Sequence, residues 1–223
     1  MFWNFLQSTV ILLTITSVSF AQDISKSIST LRKNKNFVQV QAGNGFKIDL
    51  KYATTDNFVH QNMYGDFKEC WLEESAAKKI TVALQNLRLQ KPRWGFVFYD
   101  CLRPRSVQRI MWAKVVGTEN QMYVGDPDKG SVHNFGLAVD LGLIDENGKE
   151  VDMGSAFDSF ALVSQPKLEE KFLKEGSLTS TQVQNRRTLR SAMEGAGFIQ
   201  LPHEWWHYDS VYSKDLKKFQ IVE

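Results

Sequence analysis

Two short segments of this chain carry the residues whose types and spacing best fit metal chemistry. Residues 131–140 (SVHNFGLAVD) contain His133 and Asp140, and residues 203–207 (HEWWH) contain two histidines around Glu204. Two imidazoles and one carboxylate are a ligand set of catalytic zinc, which leaves the fourth position to water. A further carboxylate beside such a site can take the proton from that water, and Glu204 is a candidate for this role.

His133 and Asp140 can meet at a metal only if the chain bends between them. Seven extended residues span about 23 Å, so the two side chains cannot converge from one uninterrupted strand. Gly136 lies between them and tolerates backbone angles that are closed to other residues. We therefore expect His133 in a loop that turns at Gly136, with Asp140 on the strand beyond it.

The second segment leaves the choice of histidine open. On a regular strand Glu204 and His207 would face opposite sides, so we expect Glu204 in an irregular stretch before the strand. His207 would then be the third ligand, but His203 is an alternative that these five residues alone do not exclude. Trp205 and Trp206 would wall the site and lower its dielectric constant, although we expect at least one of them to pack in the core.

The hydrophobic pattern predicts the elements that must position these segments. Apolar runs and alternation predict strands at residues 46–50, 96–99, 136–144 and 205–211. Apolar residues that recur on one helical face predict helices at residues 73–90, 106–115 and 179–194, the last ending at Gly195. Turn residues 145–148 predict a hairpin. Because no regular βαβ rhythm is present, we predict an α+β fold with a central antiparallel sheet flanked by helices.

The first residues and the overall charge indicate where the protein works. Residues 1–21 carry no charged side chain, and an apolar stretch ends in a small-x-small pattern, which predicts a cleaved secretory signal peptide and not a buried helix or a membrane anchor. We expect residues 22–223 to form one domain, exported to the periplasm or secreted, with no stable membrane association. The net charge is +2 and the basic residues are dispersed, which argues against a nucleic-acid partner.

The two cysteines, Cys70 and Cys101, can pair in an exported chain. The alternative is a pair of inert buried thiols. Ligation of zinc by them is not expected, because they form no close CxxC pair.

Five ordered segments resemble the zinc D-Ala-D-Ala dipeptidase family and, more broadly, the hedgehog and D,D-peptidase-like fold. The two metal segments match Ser-x-His-x-x-Gly-x-Ala-x-Asp and Glu-x-Trp-His. Three further stretches are similar to the family: residues 50–58 (LKYATTDNF), residues 99–104 (YDCLRP) and residues 153–158 (MGSAFD). Leu102 departs from the family, which commonly has Tyr before the Arg, and this departure bears on the shape of the pocket.

The resemblance implies one zinc ion per chain, held by His133, Asp140 and His207. It implies that Glu204 is the general base and acid, and that Arg103 stabilises the oxyanion of the tetrahedral intermediate. A permanently charged guanidinium suits that role. Two imidazoles and one carboxylate also fit zinc better than magnesium or calcium, which take more oxygen ligands.

The resemblance also assigns Tyr52, Ser131 and Asp158 to the substrate pocket, where Asp158 would meet a free α-ammonium group. The implied activity is hydrolysis of a small D-amino-acid dipeptide, D-Ala-D-Ala, by a metal-activated water. The alternatives are a D,D- or L,D-carboxypeptidase that acts on peptidoglycan stem peptides, and a non-catalytic zinc-binding module. The presence of Glu204 argues against the module, because a purely structural zinc site is normally closed by four protein ligands.

Overall fold

The computed structural model describes residues 27–223, so the signal peptide predicted at residues 1–21 lies outside the described residues. The strands are β1 (Phe37–Val40), β2 (Phe46–Ile48), β3 (Cys70–Glu73), β4 (Gly95–Asp100), β5 (Ala138–Ile144), β6 (Ile199–Gln200) and β7 (His207–Asp209). The α-helices are α1 (residues 27–33), α2 (Glu74–Gln90), α3 (Arg105–Val115), α4 (Glu169–Lys174) and α5 (Ser180–Glu194).

The central sheet of the described residues has the strand order β2-β4-β5-β7-β6. Three of its pairings are antiparallel, but β2 runs parallel to β4. The parallel pair arises because the chain leaves β2 and returns to β4 through β3 and α2, which is a crossover connection and not a hairpin. The predicted α+β fold with a central sheet flanked by helices is therefore confirmed, and the sheet is antiparallel except for its β2–β4 pair.

The two long helices lie where the apolar periodicity predicts them. Helix α2 buries Ala76, Ile80, Leu84 and Leu87, which are the four residues of the predicted face. Helix α5 buries Val183, Leu189 and Met193 and ends at Gly195, as expected. Gly195 itself stays right-handed, with φ −62°. The left-handed turn follows at Gly197, with φ 82°.

The strands differ from the predictions mainly at their ends. Strands β4 and β5 are buried along their whole length, which explains their apolar runs. The strand predicted at residues 205–211 shrinks to the three residues of β7, because the Trp205 N–H donates to the carbonyl of Ser164 and not to a neighbouring strand. After the turn at residues 145–148, the returning chain makes a single bridge, from Glu150 to Ile144.

Cys70 and Cys101 form a disulfide, with their Cα atoms 5.3 Å apart. It joins the start of β3 to the residue that follows β4, and therefore ties the small β1–β3 sheet to the end of a central strand. None of the helices in residues 27–223 combines the length and the apolar character that crossing a bilayer requires.

Candidate metal centre and active site

The bend that brings His133 toward Asp140 lies at Gly136. A short 3-10 helix, Val132–Phe135, ends at this glycine, which is left-handed with φ 67° and ψ 23°. A Cβ atom at this position would lie 2.9 Å from the Glu73 amide nitrogen and 3.0 Å from the ring of Phe37. Both the backbone angle and the close approach therefore require glycine, and β5 begins two residues later.

Three buried side chains converge at the end of strands β5 and β7. Asp140 Oδ1 lies 3.3 Å from His133 Nε2 and 2.9 Å from His207 Nδ1. The two imidazole nitrogens are 3.2 Å apart. Four ligands on a tetrahedron of bonds of about 2.0–2.1 Å lie roughly 3.3 Å from one another. The spacing and the donor types therefore fit a single zinc-sized ion.

The outward nitrogen of each ring has an acceptor that fixes its tautomer. His133 Nδ1–H donates to the carbonyl of Cys101 at 2.7 Å, and His207 Nε2–H donates to Asp209 Oδ1 at 2.9 Å. A backbone carbonyl can only accept, so the lone pair of His133 faces the centre. The same arrangement at His207 leaves its Nδ1 facing inward. Such hydrogen bonds are the usual support of histidine ligands.

The centre also attracts positive charge. Burial lowers the pKa of His207, but the carboxylates of Asp209 and Asp140 outweigh it and hold that pKa well above its ordinary value. Burial raises the pKa of Asp140, but His133 and His207 outweigh it, and that pKa is lowered.

Glu204 lies beside the three converging side chains and not among them. One of its carboxylate oxygens is 3.9 Å from His207 Nδ1, and residues 201–206 form a turn and bends, as expected for an irregular stretch before β7. Burial raises the pKa of Glu204 to about 8, with Asp140 and Asp158 adding to the rise and His207 opposing it. A pKa raised toward the neutral range suits a carboxyl group that exchanges protons near neutral pH.

His203 points elsewhere. Lys167 Nζ donates to His203 Nδ1 at 3.0 Å, and the imidazole is partly exposed. The geometry therefore places His207, and not His203, with His133 and Asp140.

Arg103 is buried against the same centre. Its Nε donates to Asp100 at 2.8 Å, its Nη1 to Gln108 at 2.9 Å, and its Nη2 lies 2.6 Å from Asp100 and 3.5 Å from Asp140. These contacts fix the guanidinium, and the Arg103 side chain lines the cavity described below. The guanidinium also lies 4.9 Å from the centre of the Tyr52 ring.

The three predicted pocket residues line one cavity of about 450 Å³ together with the metal centre, Glu204 and Arg103. Tyr52 donates its hydroxyl to Asp158 Oδ1 at 2.9 Å, and the Phe58 N–H donates to Asp158 Oδ2 at 3.2 Å. Burial raises the pKa of Asp158 to about 7, while the two hydrogen bonds oppose the rise. Ser131 lines the cavity just before the 3-10 helix and donates its N–H to Asn134 Oδ1 at 2.8 Å. The roles of these residues stay predictions.

The two tryptophans have different positions: one lines the cavity and the other packs in the core. Trp206 lines the cavity, whereas Trp205 packs in the core and donates its indole N–H to Ser155 Oγ at 2.9 Å. Both rings are buried and meet edge to face, with centroids 5.4 Å apart.

Arg186, on α5, organises the loop that carries Asp158, and the sequence analysis missed it. Its fully buried guanidinium donates to the Met153 carbonyl at 2.6 Å, to the Val163 carbonyl at 2.9 Å and to Ser155 Oγ at 3.3 Å. Ser155 also accepts from Trp205, the residue after Glu204. One buried cation thus holds the Asp158 loop against the Glu204 segment.

Asp100, Gln108 and Asp209 were also missed. Asp209 had a usable signal, since residues two apart on a strand point to the same side and Asp209 follows His207 by two. Asp100 lies within residues 99–104, and its position three residues before Arg103 was also a usable signal for their contact. Gln108 had no signal, because it reaches Arg103 from helix α3.

Comparison with known proteins identifies a family and relatives for this chain. The family model described as Peptidase_M15, D-ala-D-ala dipeptidase, matches residues 32–220. The D-alanyl-D-alanine dipeptidase of Escherichia coli (strain K12) is 34% identical over an alignment of 168 residues, and the match covers 73% of this chain and 78% of that protein. The protein of the same name from Enterococcus faecium is 30% identical over an alignment of 181 residues that covers 74% of this chain and 85% of that one. The one from Synechocystis is 26% identical over an alignment of 167 residues that covers 61% of this chain and 68% of that one.

Proposed function

The chain belongs to the Peptidase_M15 family of D-Ala-D-Ala dipeptidases and is a metallopeptidase, and we propose that it hydrolyses the D-alanyl-D-alanine dipeptide. We propose zinc as the metal, with His133, Asp140 and His207 as its ligands. The relatives that share this name support the substrate. The donor set supports zinc, because two imidazoles and a carboxylate at tetrahedral spacing suit it better than magnesium or calcium.

One observation carries the proposal for the substrate. The cavity that contains the three converging ligands also contains a second acidic group, Asp158, which lies near enough to Glu204 to raise the pKa of Glu204. A dipeptide has its free ammonium group next to the scissile carbonyl, so it needs an anion close to the reacting centre. Asp158, fixed by Tyr52 and the Phe58 N–H, is that anion.

The proposed chemistry follows from the placement of the buried groups. Zinc at this centre would lower the pKa of a water toward 7 and polarise the scissile carbonyl. Glu204 takes a proton from the attacking water as the new C–O bond forms. Arg103 donates a guanidinium N–H to the oxygen that gains negative charge. Glu204 then returns the proton to the leaving nitrogen as the C–N bond breaks, and two molecules of D-alanine are released.

The Glu204→Gln substitution tests the assignment of the general base. Glutamine keeps the size of the side chain but cannot take a proton, so kcat should fall by about 10²–10⁴-fold. Zinc content should stay equal, because Glu204 is not a ligand. The measurements are D-alanine release and zinc per chain. The matched control is His203→Ala, which removes an imidazole outside the centre and should leave both quantities unchanged. Equal kcat in Glu204→Gln and wild type would contradict the proposed role.

A substrate panel tests the dipeptidase activity itself. Steady-state kinetics on D-Ala-D-Ala, L-Ala-L-Ala and a pentapeptide that ends in D-Ala-D-Ala should give the highest kcat/KM for the first. A preference for the pentapeptide would favour the carboxypeptidase alternative. Absence of hydrolysis with a full complement of zinc would favour the non-catalytic module.

We further propose that the protein is exported, from the pattern of residues 1–21. A mature N-terminus at Gln22 in protein recovered from outside the cytoplasm would support this, and an intact N-terminus would contradict it.

A further inference from the structure

The two histidine ligands are supported by different kinds of acceptor. The outward nitrogen of His133 bonds a backbone carbonyl, that of Cys101. The outward nitrogen of His207 bonds a side-chain carboxylate, that of Asp209. The carboxylate of Asp100 also lies near His133, with its Oδ2 3.6 Å from Nδ1, but it is paired with Arg103. Asp209 instead bonds the imidazole of His207 directly and brings a negative charge next to it.

Strand β7 fixes Asp209 relative to His207. The two residues are two positions apart on one strand, so their side chains point to the same side. On β5, His207 lies opposite Asp140 and Asp209 lies opposite Ala138. On its other side, Asp209 is paired with Ile199 of β6, so both flanks of the strand are held.

The hydrogen bond between His207 and Asp209 affects the charge balance of the metal centre. The ligand set carries one negative charge, on Asp140, against the two positive charges of a divalent ion. The charges of Arg103 and Asp100, which also lie beside the ligands, pair with each other. Asp209 supplies a second negative charge at a distance of one imidazole ring. An acceptor of this kind makes the opposite ring nitrogen a better electron donor to a metal.

We propose that Asp209 is a positioning residue of the metal centre, which orients His207 and strengthens its Nδ1 as a ligand. This inference rests on the ligand set of the proposed function. It concerns a residue that also lines the cavity, so a direct contact with substrate is the competing explanation.

The test measures zinc affinity by competition with a chromophoric chelator, using the full chain and the variants Asp209→Ala and Asp209→Asn. Loss of such a support weakens metal binding by about 10–100-fold, and Asp209→Ala should fall in this range. Asp209→Asn should bind zinc with an affinity between those of Asp209→Ala and wild type, because the amide oxygen still accepts the hydrogen bond but carries no charge. The control Asp128→Ala removes an exposed carboxylate that pairs with Arg109 and should bind zinc like wild type.

Near-UV circular dichroism of the metal-free variants shows whether each has folded, and the isosteric Asp209→Asn carries the test if Asp209→Ala does not fold. Wild-type zinc affinity in the folded variants would overturn the inference. A rise in KM with unchanged zinc affinity would overturn it too, and would assign Asp209 to the substrate. If wild type itself binds no zinc, the ligand set fails and not only the role of Asp209.

Discussion

Removal of the Cys70–Cys101 disulfide should destabilise the protein strongly and leave its chemistry intact. The bond closes a loop with a sequence separation of 31 residues. In the chain-entropy model, a loop of this length stabilises the folded state by about 3.7 kcal/mol at 25 °C. Since small domains have a free energy of unfolding of about 5–15 kcal/mol, the double variant Cys70→Ala/Cys101→Ala should still fold, with a large part of its stability lost.

Catalysis should survive because the site uses the backbone of this segment and not the sulfur. The carbonyl of Cys101 accepts from His133. The next two residues are held without the disulfide, since the Leu102 N–H donates to the Trp71 carbonyl and the Arg103 N–H donates to the His133 carbonyl, both at 3.0 Å. In the folded variant, Arg103 and His133 should therefore keep their positions.

The assay is urea unfolding of the metal-free protein, compared among wild type, Cys70→Ala and the double variant. The single variant already lacks the cross-link, so the second substitution should add little. With excess zinc, kcat and KM of the double variant at 25 °C should match wild type. A stability loss well below the loop estimate would refute the entropic reasoning. A folded double variant with a much lower kcat would refute the claim that the backbone alone positions the site.

Two further predictions concern the bend and the buried acids. Gly136→Ala should lower the free energy of unfolding by about 1–3 kcal/mol and weaken zinc binding, because the added Cβ would meet the Glu73 amide. Gly148→Ala is the matched control, since Gly148 is also left-handed but a Cβ added there would meet open space. In the metal-free protein, burial raises the carboxyl pKa of Asp158 from 3.8 to about 7 and that of Glu204 from 4.5 to about 8. The unfolded chain therefore loses these protons first, and both groups make stability fall as pH rises through that window. Asp158→Asn and Glu204→Gln should each reduce this fall in urea unfolding between pH 5 and 8, and an unchanged slope in both would contradict the assigned burial.

Local signals were enough to predict the long elements. The faces of α2 and α5 follow directly from apolar residues three and four apart, and β4 and β5 from apolar runs. The parallel pairing of β2 could not be predicted, because it depends on which strand the chain returns to after a crossover. The shortening of the last strand had no local signal either, since it follows from a hydrogen bond between Trp205 and Ser164.

The identities of several site residues could be predicted from the sequence, but the hydrogen bonds and contacts that hold them could not. Composition and spacing indicated His133, Asp140 and Glu204, while the choice of His207 came from the family resemblance and agrees with the geometry. Arg186 could not be found in this way. A basic residue in a polar helix usually faces solvent, and here it is buried because a loop with little regular structure needs donors for its carbonyl groups.

Most of the metal ligands lie on a different kind of secondary structure from the substrate-pocket residues, and this has a consequence for engineering. Two of the three ligands, Asp140 and His207, are opposite residues on paired strands, and His133 lies on the short 3-10 helix before β5. Asp158 lies on a loop and Tyr52 on a single 3-10 turn. A library that varies the loop around Asp158, but keeps the Arg186 anchor that holds it, would redesign the substrate pocket alone. New specificities could then be selected in a scaffold whose metal frame never has to be rebuilt.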